Sequence, residues 1–154
     1  MMVVNMTMNV NRNMDMDMGM NDLTCKLKHY FEKKQCVCAV YLFGSTVKGK
    51  RRQNSDIDLG ILFYDGMDNI QRFDQKLAMA NELESLLGIK VDMVDLEEAY
   101  LYFIHQLLLN KVLSVEKDLN KRVEFEVNSR RKYFDMLPFY KLYNAQAMKR
   151  LDRR

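Results

Sequence analysis

The chain has 154 residues, 48% hydrophobic and 29% charged, with a formal net charge of +3. That is the length of one domain able to bury a core of its own, and six Gly with one Pro exclude a collagen-like or linker-like chain. A charge this near zero excludes a general polyanion binder, and three Cys, two of them in the pair Cys36-x-Cys38, match neither a zinc knuckle nor a Cys-x-x-Cys redox pair.

Eight of the 13 Met fall in the first twenty residues, interleaved with Asn and Asp. Met, Asn and Asp are poor strand formers, so residues 1–19 are expected to be a low-complexity arm ahead of a folded domain over 20–154. The arm lacks the apolar stretch of a secretory signal. No apolar run approaches the roughly 20 residues of a membrane span. A soluble, cytoplasmic protein with reduced thiols is expected.

Asn21 or Asp22 can cap a helix reaching Lys34, with Leu23, Leu27, Tyr30 and Phe31 on one face. Cys36 to Phe43 reads as an alternating strand stopped by Gly44. Residues 45–52 form a basic turn, and Asp56 to Phe63 reads as a second strand. After the Asp65-Gly66 turn, Asp68 to Leu87 is predicted as a helix. Its Ile70, Phe73, Leu77, Ala80, Leu83 or Glu84, and Leu87 recur at the helical period and are expected to face the core. Gly88 stops it.

Ile89 to Val94 reads as a third strand, Glu97 to Asn110 as a Leu-rich helix and Val112 to Val115 as a short strand. Asp118 to Met136 is predicted as a charged helix, and Pro138 opens a last helix to about Leu151. From Glu116 to Arg154 there are eleven Lys or Arg against six Asp or Glu, expected as a solvated basic face. Six aromatic positions there (Phe125, Tyr133, Phe134, Phe139, Tyr140 and Tyr143) can form either core or a docking face, and core is expected for most. The element order predicts an α/β (α+β) chain: a small mixed β-sheet with helices packed on it and a C-terminal helical extension.

The stretch from Gly44 to Leu59 carries the chemistry. Gly44-Ser45 follows a strand, and a second glycine, Gly49, follows within the turn. Glycine lets backbone approach a ligand, and free N–H groups at a turn bind anions. Ser45 adds a hydroxyl, and Lys48, Lys50, Arg51 and Arg52 add positive charge. This is a candidate phosphate cradle.

Asp56 and Asp58 lie two apart on the second strand and therefore share a face, while Ile57, Leu59 and Ile61 point the other way. Two carboxylates on one face repel unless a cation stands between them. Mg²⁺ suits them, since it takes one or two carboxylates plus substrate phosphates. Asp92, in the third strand, is expected amid apolar neighbours, where an unpaired charge is costly. It can join the other two if the strands are adjacent, as a further metal ligand or as the group that takes a proton from an attacking hydroxyl. Asp95, three residues on, is expected on the opposite face as a helix cap. His29, His105, Arg130 and Arg131 take surface or packing roles.

Gly44-Ser45, ten residues, then Asp56-Ile57-Asp58, followed by Val91-Asp92-Met93-Val94-Asp95-Leu96, resembles the signature of the DNA polymerase β-like nucleotidyltransferase superfamily. The short length resembles its minimal nucleotidyltransferases (MNT type), some of which are antitoxins beside a HEPN ribonuclease toxin. The resemblance implies a nucleotidyltransferase fold and Mg²⁺, with two ions held by Asp56, Asp58 and Asp92. It implies ATP held at Gly44, Ser45, Lys48, Gly49 and Ser55, and AMP transfer to a tyrosine hydroxyl of the HEPN partner. Membrane or direct nucleic-acid binding is not implied. Lys48 stands where the family often has Arg, which keeps the charge and loses the bidentate fork. Two other functions are compatible with the sequence: modification of a small molecule such as an aminoglycoside, and neutralisation of a toxin by binding alone.

Overall fold

The computed structural model describes residues 19–49 and 55–153. The expected arm, except for Gly19, and the turn residues Lys50, Arg51 and Arg52 lie outside the described residues.

Four strands form one mixed sheet in the order β3-β2-β1-β4. β1 (Val37–Phe43) runs antiparallel to both β2 (Ile57–Phe63) and β4 (Val112–Glu116), whereas β2 and β3 (Val91–Asp95) are parallel. A parallel pair requires a crossover, which α2 (Asn69–Leu87) supplies. Asp68 caps α2 through a reciprocal bond pattern with Gln71, and Gly88 ends it in the left-handed conformation at φ 67°.

One sheet face carries α1 (Met20–Glu32) and α2. Leu23, Leu27 and Phe31 meet Val40, Leu42, Ile57, Leu59 and Ile61, with Met79, Leu83 and Leu87 closing the cluster. Gly19 occupies the α1 N-cap without a side-chain bond, so the expected Asn21 or Asp22 cap is not made. The other face carries α3 (Leu101–Leu109) and α4 (Leu119–Leu151). Ile104, Leu107 and Leu108 pack on Tyr41 and Leu62. Cys38 is buried and Cys36 half-buried.

Two expectations change. The core face of α2 is set by Arg72, Met79, Leu83 and Leu87, and it leaves Ile70, Phe73 and Leu77 exposed. Arg72 turns inward because Asp95 waits there. Its Nε lies 2.7 Å from Asp95 Oδ2, and its two other nitrogens donate to the Met67 carbonyl and to Asn69. Asp95 is thus an ion-pair partner that also accepts from the Glu97 N–H, and it caps no helix start.

The second change concerns α4, a single 33-residue helix with Pro138 inside it where two helices are expected. Proline withdraws a donor from the helical ladder, and the carbonyl it leaves unserved belongs to Phe134, an exposed residue. Of the six aromatics, Tyr133 is buried and Phe125 and Tyr140 are half-buried. Phe134, Phe139 and Tyr143 are exposed, against the core expected for most.

Candidate active site

Register brings the motif together. Phe43 at the end of β1 pairs with Asp58, and Asp58 pairs with Asp92 on β3. The Gly44 turn and both carboxylates therefore sit at one edge of the sheet. Asp58, Gly60 and Leu62 alternate onto the α3/α4 face, where Leu107 and Leu96 roof Gly60.

The chain leaves β1 through a single 3-10 turn, Gly44–Thr46. Gly44 takes φ +76°, a left-handed value that favours glycine. A Cβ on Gly44 would overlap Asp58 Oδ2 and stand 3.1 Å from its Cγ. The backbone of the turn thus lies directly against the carboxylate. The Gly44 carbonyl accepts from the Lys48 N–H at 3.3 Å, and Gly49 has φ +66° with nothing among the described residues within 4 Å of where a Cβ would stand. Ser45 and Ser55 are half-buried and Lys48 is exposed.

Thr46 is 8% exposed, and its hydroxyl lacks a hydrogen-bond partner among the described residues. A buried donor in that condition is uncommon. The sequence reading did not single out Thr46, although its place directly after Gly44-Ser45 was a signal.

The carboxylates crowd one another. Burial, then the charges of Asp92 and Asp56, push the Asp58 carboxyl above the ordinary aspartate range. Lys90 is a nearby cation, with its Nζ 3.7 Å from Asp56 Oδ2. Lys90 was also missed, though it stands two residues before Asp92. Asp92 is exposed, not buried amid apolar neighbours, because β3 begins at Val91 and its burial alternates from there.

Among the described residues no three His, Cys, Asp or Glu side chains are gathered as a ready metal cage. The donors available are carboxylate oxygens, and among the described residues no cation offsets the charge at Asp58. That is the donor chemistry Mg²⁺ uses when phosphates and waters complete its shell.

His105 stacks on Tyr133 with ring centroids 3.7 Å apart, and His29 is exposed, so neither joins this site. No described helix is long and apolar enough to cross a membrane.

The family profile described as polymerase beta, nucleotidyltransferase matches residues 25–120. The protein adenylyltransferase MntA of Shewanella oneidensis is 45% identical over 60 residues, which is 39% of this chain and 40% of that relative. A crystal structure of a toxin-antitoxin with AMP-PNP aligns with a TM-score of 0.66 at 26% identity, over 81% of this chain and 98% of the other. The fold also recurs, at a TM-score of 0.61 and 24% identity over 81% of this chain and 95% of the other, in a complex of tri-AMPylated Shewanella oneidensis HEPN toxin with MNT antitoxin.

Proposed function

This chain belongs to the polymerase beta nucleotidyltransferase family, and on that premise we propose that it is an Mg²⁺-dependent protein adenylyltransferase. Acting as an antitoxin in the cytoplasm, it transfers AMP from ATP to a tyrosine hydroxyl of a HEPN ribonuclease partner. The observation that carries this reading is the Asp58 carboxylate lying against the Gly44 turn, with Asp92 in register beside it on β3. The similarity to an adenylyltransferase and to an AMP-PNP-bound toxin-antitoxin favours ATP and a protein acceptor.

In this reading the backbone N–H groups of the Gly44–Thr46 turn, the Ser45 and Ser55 hydroxyls and the Lys48 ammonium hold the β- and γ-phosphates. Gly49, in the left-handed conformation and without a side chain, lets backbone come close to them. Asp56 and Asp58 hold Mg²⁺ and Asp92 adds a third oxygen donor. When bound, the ion neutralises charge on the phosphates and on the attacking and leaving oxygens.

Asp92, exposed toward solvent, accepts the proton of the tyrosine hydroxyl. The phenolic oxygen then attacks the α-phosphorus, a new P–O bond forms, and the bond to pyrophosphate breaks. Positioning supplies much of the acceleration, because a hydroxyl held in line reacts as a unimolecular partner.

The test is to incubate the chain with ATP, Mg²⁺ and the product of the gene adjacent to its own, then weigh that protein. A mass gain of one or more AMP units, absent with Asp56→Ala/Asp58→Ala, is the expected result. No gain, with cells still protected by the double variant, would mean neutralisation by binding alone.

A further inference from the structure

α4 keeps one face along its whole length. Its buried residues Glu126, Ser129 and Tyr133 lie on the domain at steps of three and four. The same steps continue through Leu137, Tyr140, Asn144, Ala147 and Leu151. Steps of four and three in alternation are the seam of two packed helices. After Tyr133 the seam is only partly covered among the described residues: Leu137, Tyr140 and Ala147 are half-buried, Asn144 is exposed, Leu151 is 66% exposed, and the flanking Met136, Phe139, Tyr143 and Met148 are all exposed. From Leu137 to Leu151 it is about 21 Å long, at 1.5 Å per residue.

The charge around the seam decides what covers it. Beyond Tyr133 the described helix end carries Lys141, Lys149, Arg150 and Arg153 against Asp135 and Asp152, and Arg130, Arg131 and Lys132 stand just before it. Two copies packed on this seam would bring basic flanks together, which disfavours self-pairing.

The position of α4 relates the seam to the chemistry. Cys38 Sγ lies 3.9 Å from the Asp118 carbonyl, and Tyr41 donates to Glu126 at 3.0 Å. The helix therefore advances in the direction of β1, on the sheet face that carries Asp58.

We propose that the face of α4 from Leu137 to Leu151 docks an α-helix of the acceptor protein, one whose apolar seam is flanked by acidic residues. This rests on the adenylyltransferase reading and names how that enzyme captures its protein substrate. The docked partner stands on the face where Asp58 and Asp92 open, and binding energy gathered at the seam serves to present the hydroxyl.

The experiment compares the wild-type chain, Leu137→Glu/Leu151→Glu and Asp56→Ala/Asp58→Ala, each co-expressed with the product of the adjacent gene. Co-purification, AMP mass gain and light scattering are read for each. Leu151 is exposed and Leu137 half-buried, so the domain melt is read beside binding, and it should fall by much less than binding is weakened. The leucine variant should bind at least about tenfold more weakly and transfer correspondingly less AMP at sub-saturating acceptor, while the aspartate variant still co-purifies. Lys149→Glu/Arg150→Glu should weaken binding in low salt more than in high salt.

AMP transfer by the leucine variant at the wild-type rate would overturn the docking proposal and leave the enzymatic one standing. Loss of co-purification without AMP transfer by the wild type would do the reverse. A wild-type homodimer that the leucine variant dissolves gives the seam to a second copy, and a wild type that neither binds nor modifies the partner overturns both.

Discussion

Gly44 and Asp58 touch across the end of the β1–β2 pair: the glycine has no side chain, and the carboxylate fills the place one would take. Gly44→Ala adds a Cβ at φ +76°, which costs about 1–2 kcal/mol in backbone strain alone. It also displaces Asp58. We expect the melting temperature to fall and AMP transfer to fall by about 100-fold or more. A variant that melts lower but retains full transfer would show that the contact shapes the fold and not the site.

Asp58→Asn should stabilise the metal-free chain while abolishing transfer. The Asp58 carboxyl is raised, first by burial and then by Asp92 and Asp56. Between the ordinary aspartate value of about 3.9 and the raised one, the folded chain binds more protons than the unfolded chain. Stability therefore falls as pH climbs through that window and stays lower above it. At pH 7 in EDTA the variant should melt above the wild type. Below the ordinary aspartate value the two should coincide, and Mg²⁺ should raise the wild type alone. A variant melting lower than wild type in EDTA would sink this account.

Glu126→Leu should be among the most destabilising changes outside the central core. Its carboxylate is buried, which pushes its pKa up, but hydrogen bonds from Lys111, Tyr41 and Arg122 overcome that and hold it below the ordinary glutamate value. Removing it leaves Lys111 without its carboxylate, Arg122 with Glu116 alone and the Tyr41 hydroxyl without its acceptor, at a cost of about 2–4 kcal/mol. Urea unfolding measures this. The lowered value means the contribution is present above the ordinary glutamate pKa and is lost as pH falls through the folded one. The gap between variant and wild type should therefore close in acid.

Arg72→Met should cost about 3 kcal/mol, since it leaves buried Asp95 without its cation. Arg72→Lys should recover only part of that, because one ammonium cannot serve Asp95, the Met67 carbonyl and Asn69 in three directions. Equal stability of the lysine variant and wild type would show that charge, and not the fork, is what matters there.

Much of the site was legible because its chemistry is local in sequence. The Gly44-Ser45 turn and the Asp56-x-Asp58 strand need only a strand end, a turn and an alternating face, all short-range properties. The sheet partner of Asp92 could be stated only as a condition, and the parallel register of β2 with β3 meets it. The α2 core face was not legible. Ile70, Phe73 and Leu77 follow the helical period, yet Arg72 is the residue drawn inward, by a carboxylate 23 positions away. Periodicity counts apolar residues and is blind to a buried ion pair. Pro138 misled for a related reason: a proline interrupts a helix only where the lost bond must be replaced from within the protein.

The parallel pairing of β2 with β3 also governs the order in which this molecule can assemble. Asp58 and Asp92 come into register only after the 19-residue crossover α2 has formed and docked. Pairing of that kind is slow, because the loop must close before any contact rewards it. The β1–β2 pair can form earlier, and it holds Asp58 against Gly44 without Asp92. A chain emerging from synthesis therefore carries the turn before the complete carboxylate set. Recovery of AMP transfer during refolding should lag behind recovery of strand signal, and Leu83→Ala, which loosens α2 on the sheet, should widen that lag.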